Sequence, residues 1–106
     1  SGKNALVTGA SRGIGAVIAT TLASMGLKVW INYRSGQVEA NKVCESIKAN
    51  GGDADVIDFD VSDESAFVDA IKHIVTTDGE LSYLVNNAGI TKDGLAMRMK
   101  TQQFMD

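Results

Sequence analysis

The chain has 106 residues, of which 44% are hydrophobic and 22% are charged, which is the composition of one small globular domain rather than a disordered segment. Its formal net charge of -3 argues against nucleic acid and against an anionic membrane surface as partners. The single cysteine, Cys44, excludes an internal disulfide and suits a reducing, cytoplasmic compartment.

The first predicted elements are a strand over residues 4–8, a glycine-rich turn, and a helix over residues 12–25. A helix start leaves backbone N–H groups without partners and carries partial positive charge, so this arrangement favours a bound phosphate. We assign Gly9 to the turn itself and Gly13 to the close approach of a pyrophosphate. Gly15 is expected to let the helix pack against the first strand.

Two further strand–helix units and a fourth strand follow. The predicted strands cover residues 28–33, 54–59 and 81–86, and the helices between them cover residues 35–50 and 63–78. Ser62 is the expected N-cap of the third helix. The first helix has one apolar face at helical spacing, made of Ile14, Val17, Ile18, Thr21, Leu22 and Met25.

Alternating strands and helices predict an α/β fold, a Rossmann-type doubly wound parallel sheet of order 3-2-1-4. A ligand in such a sheet lies at the carboxyl ends of the strands. The sheet is truncated after the fourth strand, which would then be an open edge, because residues 90–106 read as a loop with a helix beginning near Thr101. A flavodoxin-like receiver is the competing α/β fold, but it needs an acidic cluster where this chain has glycines.

The end of the second strand indicates which dinucleotide would bind. An NAD site usually has an Asp or Glu there, and this chain has Tyr33 instead. Arg34 follows directly, and Arg12 lies in the glycine turn, so two guanidinium groups could hold a 2′-phosphate. We therefore predict NADP(H). The alternative is that both arginines are ordinary surface charges.

Three motifs resemble those of the short-chain dehydrogenases/reductases. They are the TGxxxGxG pattern from Thr8 to Gly15, the Asp60-Val61 pair after the third strand, and the NNAG sequence at 86–89. These motifs are spread along the chain, and the resemblance implies that together they form one dinucleotide site. Its expected residues are Gly9, Ser11, Arg12, Gly13, Ile14, Gly15, Arg34, Ser35, Asp60, Val61, Asn87, Ala88 and Gly89.

Residues 86–100 are also similar to the NNAGITRDxLxMRMK segment of bacterial 3-oxoacyl-acyl-carrier-protein reductases, above all at Met97-Arg98-Met99. This resemblance implies NADPH-dependent reduction of 3-oxoacyl-acyl-carrier-protein to the 3-hydroxyacyl form in type II fatty acid synthesis. It also implies a homotetramer. Another short-chain reductase, with an acetoacetyl-CoA, sugar or alcohol substrate, is an alternative within the same superfamily.

The catalytic Asn, Ser, Tyr and Lys that the resemblance requires are not among these residues. Neither Tyr33 nor Tyr83 has a lysine four positions on, as a YxxxK motif needs. We expect residues 1–106 to be the NADP-binding half of a single Rossmann-fold domain, inactive alone and prone to aggregate or dimerise through the fourth strand. A complete, non-catalytic dinucleotide-binding module is the alternative from another functional class.

Other chemically notable residues are given structural roles. His73 has no second His or Cys at ligand spacing and is expected to be a solvated helix residue, whereas Cys44 is expected in the core. The methionines near the end fit loop or interface packing at least as well as acyl-chain contacts. A Mg²⁺ site is considered and rejected for the acids of the third strand, because no further ligands converge on Asp53, Asp55, Asp58 and Asp60. No metal is expected.

Overall fold

The computed structural model describes residues 3–11, 13–87 and 98–100. Strands and helices alternate over residues 4–85, as the sequence predicts. Their bounds are β1 Asn4–Val7, α1 Gly13–Ser24, β2 Lys28–Tyr33, α2 Gln37–Ala49, β3 Asp53–Asp58, α3 Glu64–Asp78, β4 Tyr83–Val85 and β5 Arg98–Lys100. None of the described helices is both long and apolar enough to cross a bilayer.

The strands form one sheet of order β3-β2-β1-β4-β5. Its first four strands are parallel and confirm the predicted order 3-2-1-4, with β1 between β2 and β4. Beyond them β5 pairs antiparallel with β4, placing Leu84 opposite Met99. The open edge expected at the fourth strand is therefore wrong, and the argument for dimerisation through that edge is lost with it. A strand next to β4 satisfies the backbone groups that a lone edge would leave unpaired.

Alternating residues of the central strands point to two separate apolar cores. Val7 of β1 and Ile31 of β2 pack under the two helices α1 and α2. Leu6 and Trp30, their neighbours in sequence, pack under α3 on the other face. The sheet is thus covered by helices on both faces, which is the doubly wound arrangement and explains why β1 and β2 are apolar at successive positions.

The face that α1 buries differs from the predicted one. Its buried residues are the small ones, Gly15, Ala19 and Ala23, spaced four apart. Of the predicted apolar face, Ile18 and Leu22 do pack against the core. Ile14, Val17 and Met25 are 69%, 65% and 68% exposed, so the predicted face is correct only in part. Small side chains let the helix axis lie close to the sheet, and this close packing prevails over the burial of larger apolar residues elsewhere on the helix.

The third helix is capped by Asp63 rather than by Ser62. The Asp63 carboxylate accepts a hydrogen bond from the backbone N–H of Ala66 at 3.1 Å. Ser62 is engaged elsewhere, because both its backbone N–H and its hydroxyl donate to the carboxylate of Asp60, at 2.9 and 2.7 Å. The predicted capping residue therefore sits one position too early.

The free edge of the sheet at β3 is protected by charge. Asp53, Asp55 and Asp58 are all exposed there, and carboxylates along an edge strand oppose pairing with another chain. No group of three or more His, Cys, Asp or Glu side chains in the described residues could hold a metal ion. Cys44, by contrast, is buried in the core, as predicted, and burial raises the pKa of its thiol.

Asp78, the last residue of α3, ties the helix to the amino ends of β1 and β2. Its carboxylate accepts from the Lys28 ammonium at 2.9 Å, from the Trp30 indole N–H at 2.6 Å and from the Asn4 amide at 3.0 Å. Burial opposes ionisation of Asp78 and is the largest single influence on its pKa. The three hydrogen bonds and the charge of Lys28 together outweigh burial and hold the pKa below its usual value of 3.8.

Replacing Asp78 by Asn should therefore lower the free energy of unfolding by about 2 kcal/mol at neutral pH, because hydrogen bonds to a charged acceptor are lost. A folded-state pKa below the unfolded value means that this stabilisation is complete above pH 4 and disappears as the pH falls through the folded pKa. Urea unfolding of both proteins at several pH values would measure it. Asp69→Asn, which changes an exposed carboxylate of the same helix, is the control, and an equal effect there would contradict the assignment.

Candidate functional site

The candidate site lies at the carboxyl ends of the parallel strands β1, β2, β3 and β4. Because these strands are parallel, the segments that follow them emerge on the same side. Most of the predicted site residues belong to these segments. They are Gly9, Ser11, Gly13, Ile14 and Gly15 after β1, Arg34 and Ser35 after β2, Asp60 and Val61 after β3, and Asn87 after β4.

Three successive backbone amides anchor the turn after β1 to its neighbours. The Thr8 N–H donates to the Val85 carbonyl oxygen at 3.0 Å, on β4. The Gly9 N–H donates to the Asn32 side-chain oxygen and the Ala10 N–H to the Asn32 backbone oxygen, both at 2.9 Å. These donors are therefore used within the protein. An anion at this turn has to be bound by later amides, those at the start of α1.

Gly9 and Gly15 make the turn compact. Gly9 has φ 62°, a left-handed conformation that favours glycine. Its carbonyl oxygen accepts a hydrogen bond from the Asn87 side-chain amide at 3.1 Å. A Cβ on Gly15 would collide with that same carbonyl oxygen, with the Asn87 amide nitrogen at 2.6 Å and with the Ala10 Cα at 2.9 Å. Gly15 thus lets α1 rest on the turn that follows β1 and on the end of β4.

Gly13, the first residue of α1, has the opposite surroundings. Its φ is 64°, and a Cβ built on it would meet no atom within 4 Å. Space is therefore open beside the Gly13 α-carbon, at the start of α1. The first turn of α1 has no acidic residue, whereas α2 begins with Glu39 and α3 with Glu64 in the corresponding turns. The positive end of the α1 dipole is left uncompensated by a carboxylate from its own first turn.

The end of β4 is fixed to β1 by side chains as well as backbone. The Thr8 hydroxyl lies 3.2 Å from the Asn86 side-chain oxygen and 3.4 Å from the Val85 carbonyl oxygen. Asn87 reaches across to Gly9, as described above. The two asparagines of the NNAG motif therefore hold the turn and β4 at a fixed separation. Arg12, Ala88 and Gly89, also expected site residues, lie outside the described residues.

The segments after β2 and β3 meet through an ion pair. The Arg34 Nε lies 3.4 Å from the Asp60 carboxylate, and the Arg34 side chain is 77% exposed. The hydrogen bonds from the hydroxyl and the backbone N–H of Ser62 lower the pKa of Asp60, and Arg34 adds to that effect. Val61 is half-buried beside this pair and Ser35 is exposed. Arg34 is thus an accessible cation paired with a half-buried carboxylate.

Asn32, at the carboxyl end of β2, also belongs to the candidate site, but the sequence analysis does not identify it. It is 2% exposed, and its side chain bridges the turn after β1 and the end of β3, through the Gly9 N–H at 2.9 Å and the Phe59 carbonyl oxygen at 3.1 Å. The sequence carries a signal for it. Asn32 is a lone amide in the apolar run from Val29 to Tyr33, and a polar side chain in a strand buried on both faces needs hydrogen-bond partners.

The chain matches the family model described as short chain dehydrogenase over residues 3–106. It is 50% identical over 104 residues to a 3-oxoacyl-acyl-carrier-protein reductase, FabG, of Staphylococcus aureus. That alignment covers 98% of this chain and 42% of the relative, so the chain spans less than half of the relative's length.

Solved structures give the same picture. A metagenomic short-chain oxidoreductase in complex with NADP superposes with a TM-score of 0.80 at 40% identity, over 85% of this chain and 40% of that one. A short chain dehydrogenase from Burkholderia cenocepacia, also in complex with NADP, gives 0.77 at 39% identity, over 89% and 42%. Both neighbours are thus oxidoreductases whose structures contain the same dinucleotide.

The open space at Gly13 generates a prediction. A Gly13→Val side chain would occupy the space beside the helix N–H groups, so the affinity for NADP⁺ should fall at least tenfold while most of the helical structure remains. Fluorescence titration and circular dichroism together measure this.

The control for Gly13→Val is Gly51→Val, because Gly51 also has positive φ and open space but lies in the turn between α2 and β3. It imposes a similar backbone strain far from the site. If Gly13→Val binds NADP⁺ as the unmodified chain does, or if Gly51→Val loses as much affinity, the phosphate does not lie at the start of α1.

Proposed function

The chain belongs to the short-chain dehydrogenase family, and on that premise we propose that it binds NADP(H) as the cofactor-binding part of a reductase for 3-oxoacyl-acyl-carrier-protein. The observation that carries the proposal is the start of α1. There the space beside the Gly13 α-carbon is open, and the first turn has no acid of its own.

The residues of the turn fit the pyrophosphate of a dinucleotide. Such a group needs backbone donors, a surface without side chains and a site that does not repel negative charge. The free donors come from the start of α1, since Gly9 and Ala10 have given theirs to Asn32. Gly13 supplies the bare surface. This division of the amides favours residues 11 to 15 as the phosphate-binding part of the turn.

Arg34 favours NADP(H) over NAD(H), even though Asp60 is close to it. An Arg–Asp pair at the surface contributes little in water, because solvent and salt screen the two charges. A 2′-phosphate carries more charge and accepts two parallel hydrogen bonds from one guanidinium, so it competes well for Arg34. Asp60 keeps its hydrogen bonds to Ser62 if Arg34 turns away. The exchange therefore leaves no carboxylate without donors.

The substrate part of the proposal rests on similarity. The Staphylococcus aureus relative is named for reduction of 3-oxoacyl-acyl-carrier-protein, and residues 86–100 of this chain resemble the corresponding segment of such reductases. When bound, NADPH would supply the hydride that reduces the 3-oxo group. This chain's residues would hold and orient the dinucleotide. A homotetramer in the cytoplasm, acting on substrates carried by acyl carrier protein, completes the proposal.

Cofactor choice is tested by Arg34→Asp. The unmodified chain should bind NADPH at least tenfold more tightly than NADH, and the variant should reverse that order. The substitution removes the cation and adds a carboxylate that repels the 2′-phosphate while accepting from a free 2′-hydroxyl. Titration of both proteins with both cofactors by fluorescence measures the four affinities.

The matched control is Lys72→Asp, which makes the same change of charge at an exposed position of α3. It should leave the ratio of the two affinities unchanged. Equal affinities of the unmodified chain for NADPH and NADH would refute the assignment of Arg34. A chain that bound neither cofactor would refute the proposed function as a whole.

A further inference from the structure

The Asn32 carboxamide connects two segments of the candidate site, the turn after β1 and the end of β3. Its side-chain oxygen accepts from the Gly9 N–H at 2.9 Å, and its side-chain nitrogen donates to the Phe59 carbonyl oxygen at 3.1 Å. Gly9 lies in the turn before α1, and Phe59 directly precedes Asp60. The Asn32 backbone oxygen takes the next amide of the turn, that of Ala10.

The two partners determine the orientation of the Asn32 carboxamide. One partner is a donor and the other an acceptor, so the side chain needs an oxygen on one side and an N–H on the other. Aspartate has the same shape but would set a carboxylate oxygen against the Phe59 carbonyl oxygen. Leucine fills similar volume and satisfies neither partner. Asparagine meets both needs in a space where the side chain is 2% exposed.

Gly9 is held from both sides, by Asn32 on its N–H and by Asn87 on its carbonyl oxygen. The peptide groups on either side of Gly9 therefore have a fixed orientation, and α1 begins four residues later. Gly15 rests on the Gly9 carbonyl group. Any rotation of the turn is thus transmitted to the first amides of α1, which are the donors left for an anion.

We propose that Asn32 is a positioning residue of the dinucleotide site, which aims the α1 amides at the pyrophosphate by fixing the Gly9 turn, without touching the ligand itself. The inference rests on the proposed function, since it assumes a dinucleotide at this edge. It separates two parts of the site. Ligands with a pyrophosphate depend on Asn32, whereas a ligand that uses only the segments after β2 and β3 depends on it far less.

Two probes make that separation measurable. NADP⁺ contains both the 2′-phosphate and the pyrophosphate, and adenosine 2′-monophosphate contains the 2′-phosphate alone. Asn32→Leu should weaken NADP⁺ binding at least tenfold and adenosine 2′-monophosphate binding less than threefold, measured by calorimetric titration. Asn32→Thr, whose shorter side chain has a single hydroxyl in place of the separate oxygen and N–H of the carboxamide, should show the same split and is the second variant if the leucine variant does not melt cooperatively.

The matched control is Asn4→Leu. Asn4 is equally buried, and its carboxamide also bridges elements, bonding Asp78, the Glu80 carbonyl oxygen and the Ser82 N–H at the opposite edge of the sheet. That variant should melt at a lower temperature and keep both affinities. A purely structural role for Asn32 predicts instead that both ligands weaken together, as the melting temperature falls.

Each outcome decides the inference. A selective loss for NADP⁺ in the Asn32 variants, absent from the Asn4 variant, supports it. Equal losses for the two ligands, or unchanged NADP⁺ affinity, overturn it while leaving the proposed function standing. If the unmodified chain binds neither ligand, the proposed function is wrong and the inference falls with it.

Discussion

The structure depends on how the end of β1 is held between its two neighbours. Buried backbone N–H groups need acceptors, and the chain leaves the sheet at Thr8 just where the ladder of β1 stops. The three amides from Thr8 to Ala10 find acceptors on β4 and β2. This saturation fixes the turn and leaves the following amides, at the start of α1, as the donors that we expect to bind an anion. A rigid turn and open donors are therefore two results of the same hydrogen bonds.

The amino ends of the strands are held by a different set of contacts. There the Asp78 carboxylate gathers Asn4, Lys28 and Trp30, so that α3, β1 and β2 are joined by charge-assisted hydrogen bonds. Both oxygens of the carboxylate have a partner from the chain. A largely buried ion pair thus lies at the amino ends of the strands, while the accessible cation of Arg34 lies at the carboxyl ends.

The sequence was sufficient for the strand order because apolar runs, glycines and helix periodicity locate the elements, and right-handed crossovers then order the strands. It failed where long-range packing decides. The burial of α1 through Gly15, Ala19 and Ala23 rather than Ile14 and Val17 depends on how closely the helix approaches the sheet, which periodicity does not contain. Likewise Asn32 lies 23 residues from Gly9 along the chain, and its partners become known only when β1 and β2 are paired. The glycine turn was predicted from the sequence, but the hydrogen bonds to Asn32 that hold the turn in place were not.

The central claim is that the dinucleotide binds at the start of α1, at the carboxyl edge of the sheet. Titration of the ¹⁵N-labelled chain with NADP⁺, followed by two-dimensional NMR, tests it most directly. The account predicts that the largest shifts of backbone amides occur from Gly13 to Gly15 and at Arg34, while those of Gly26 and Gly51, in turns at the other end of the sheet, stay in place. Largest shifts at Gly26 and Gly51, or no shifts at saturating NADP⁺, would contradict it.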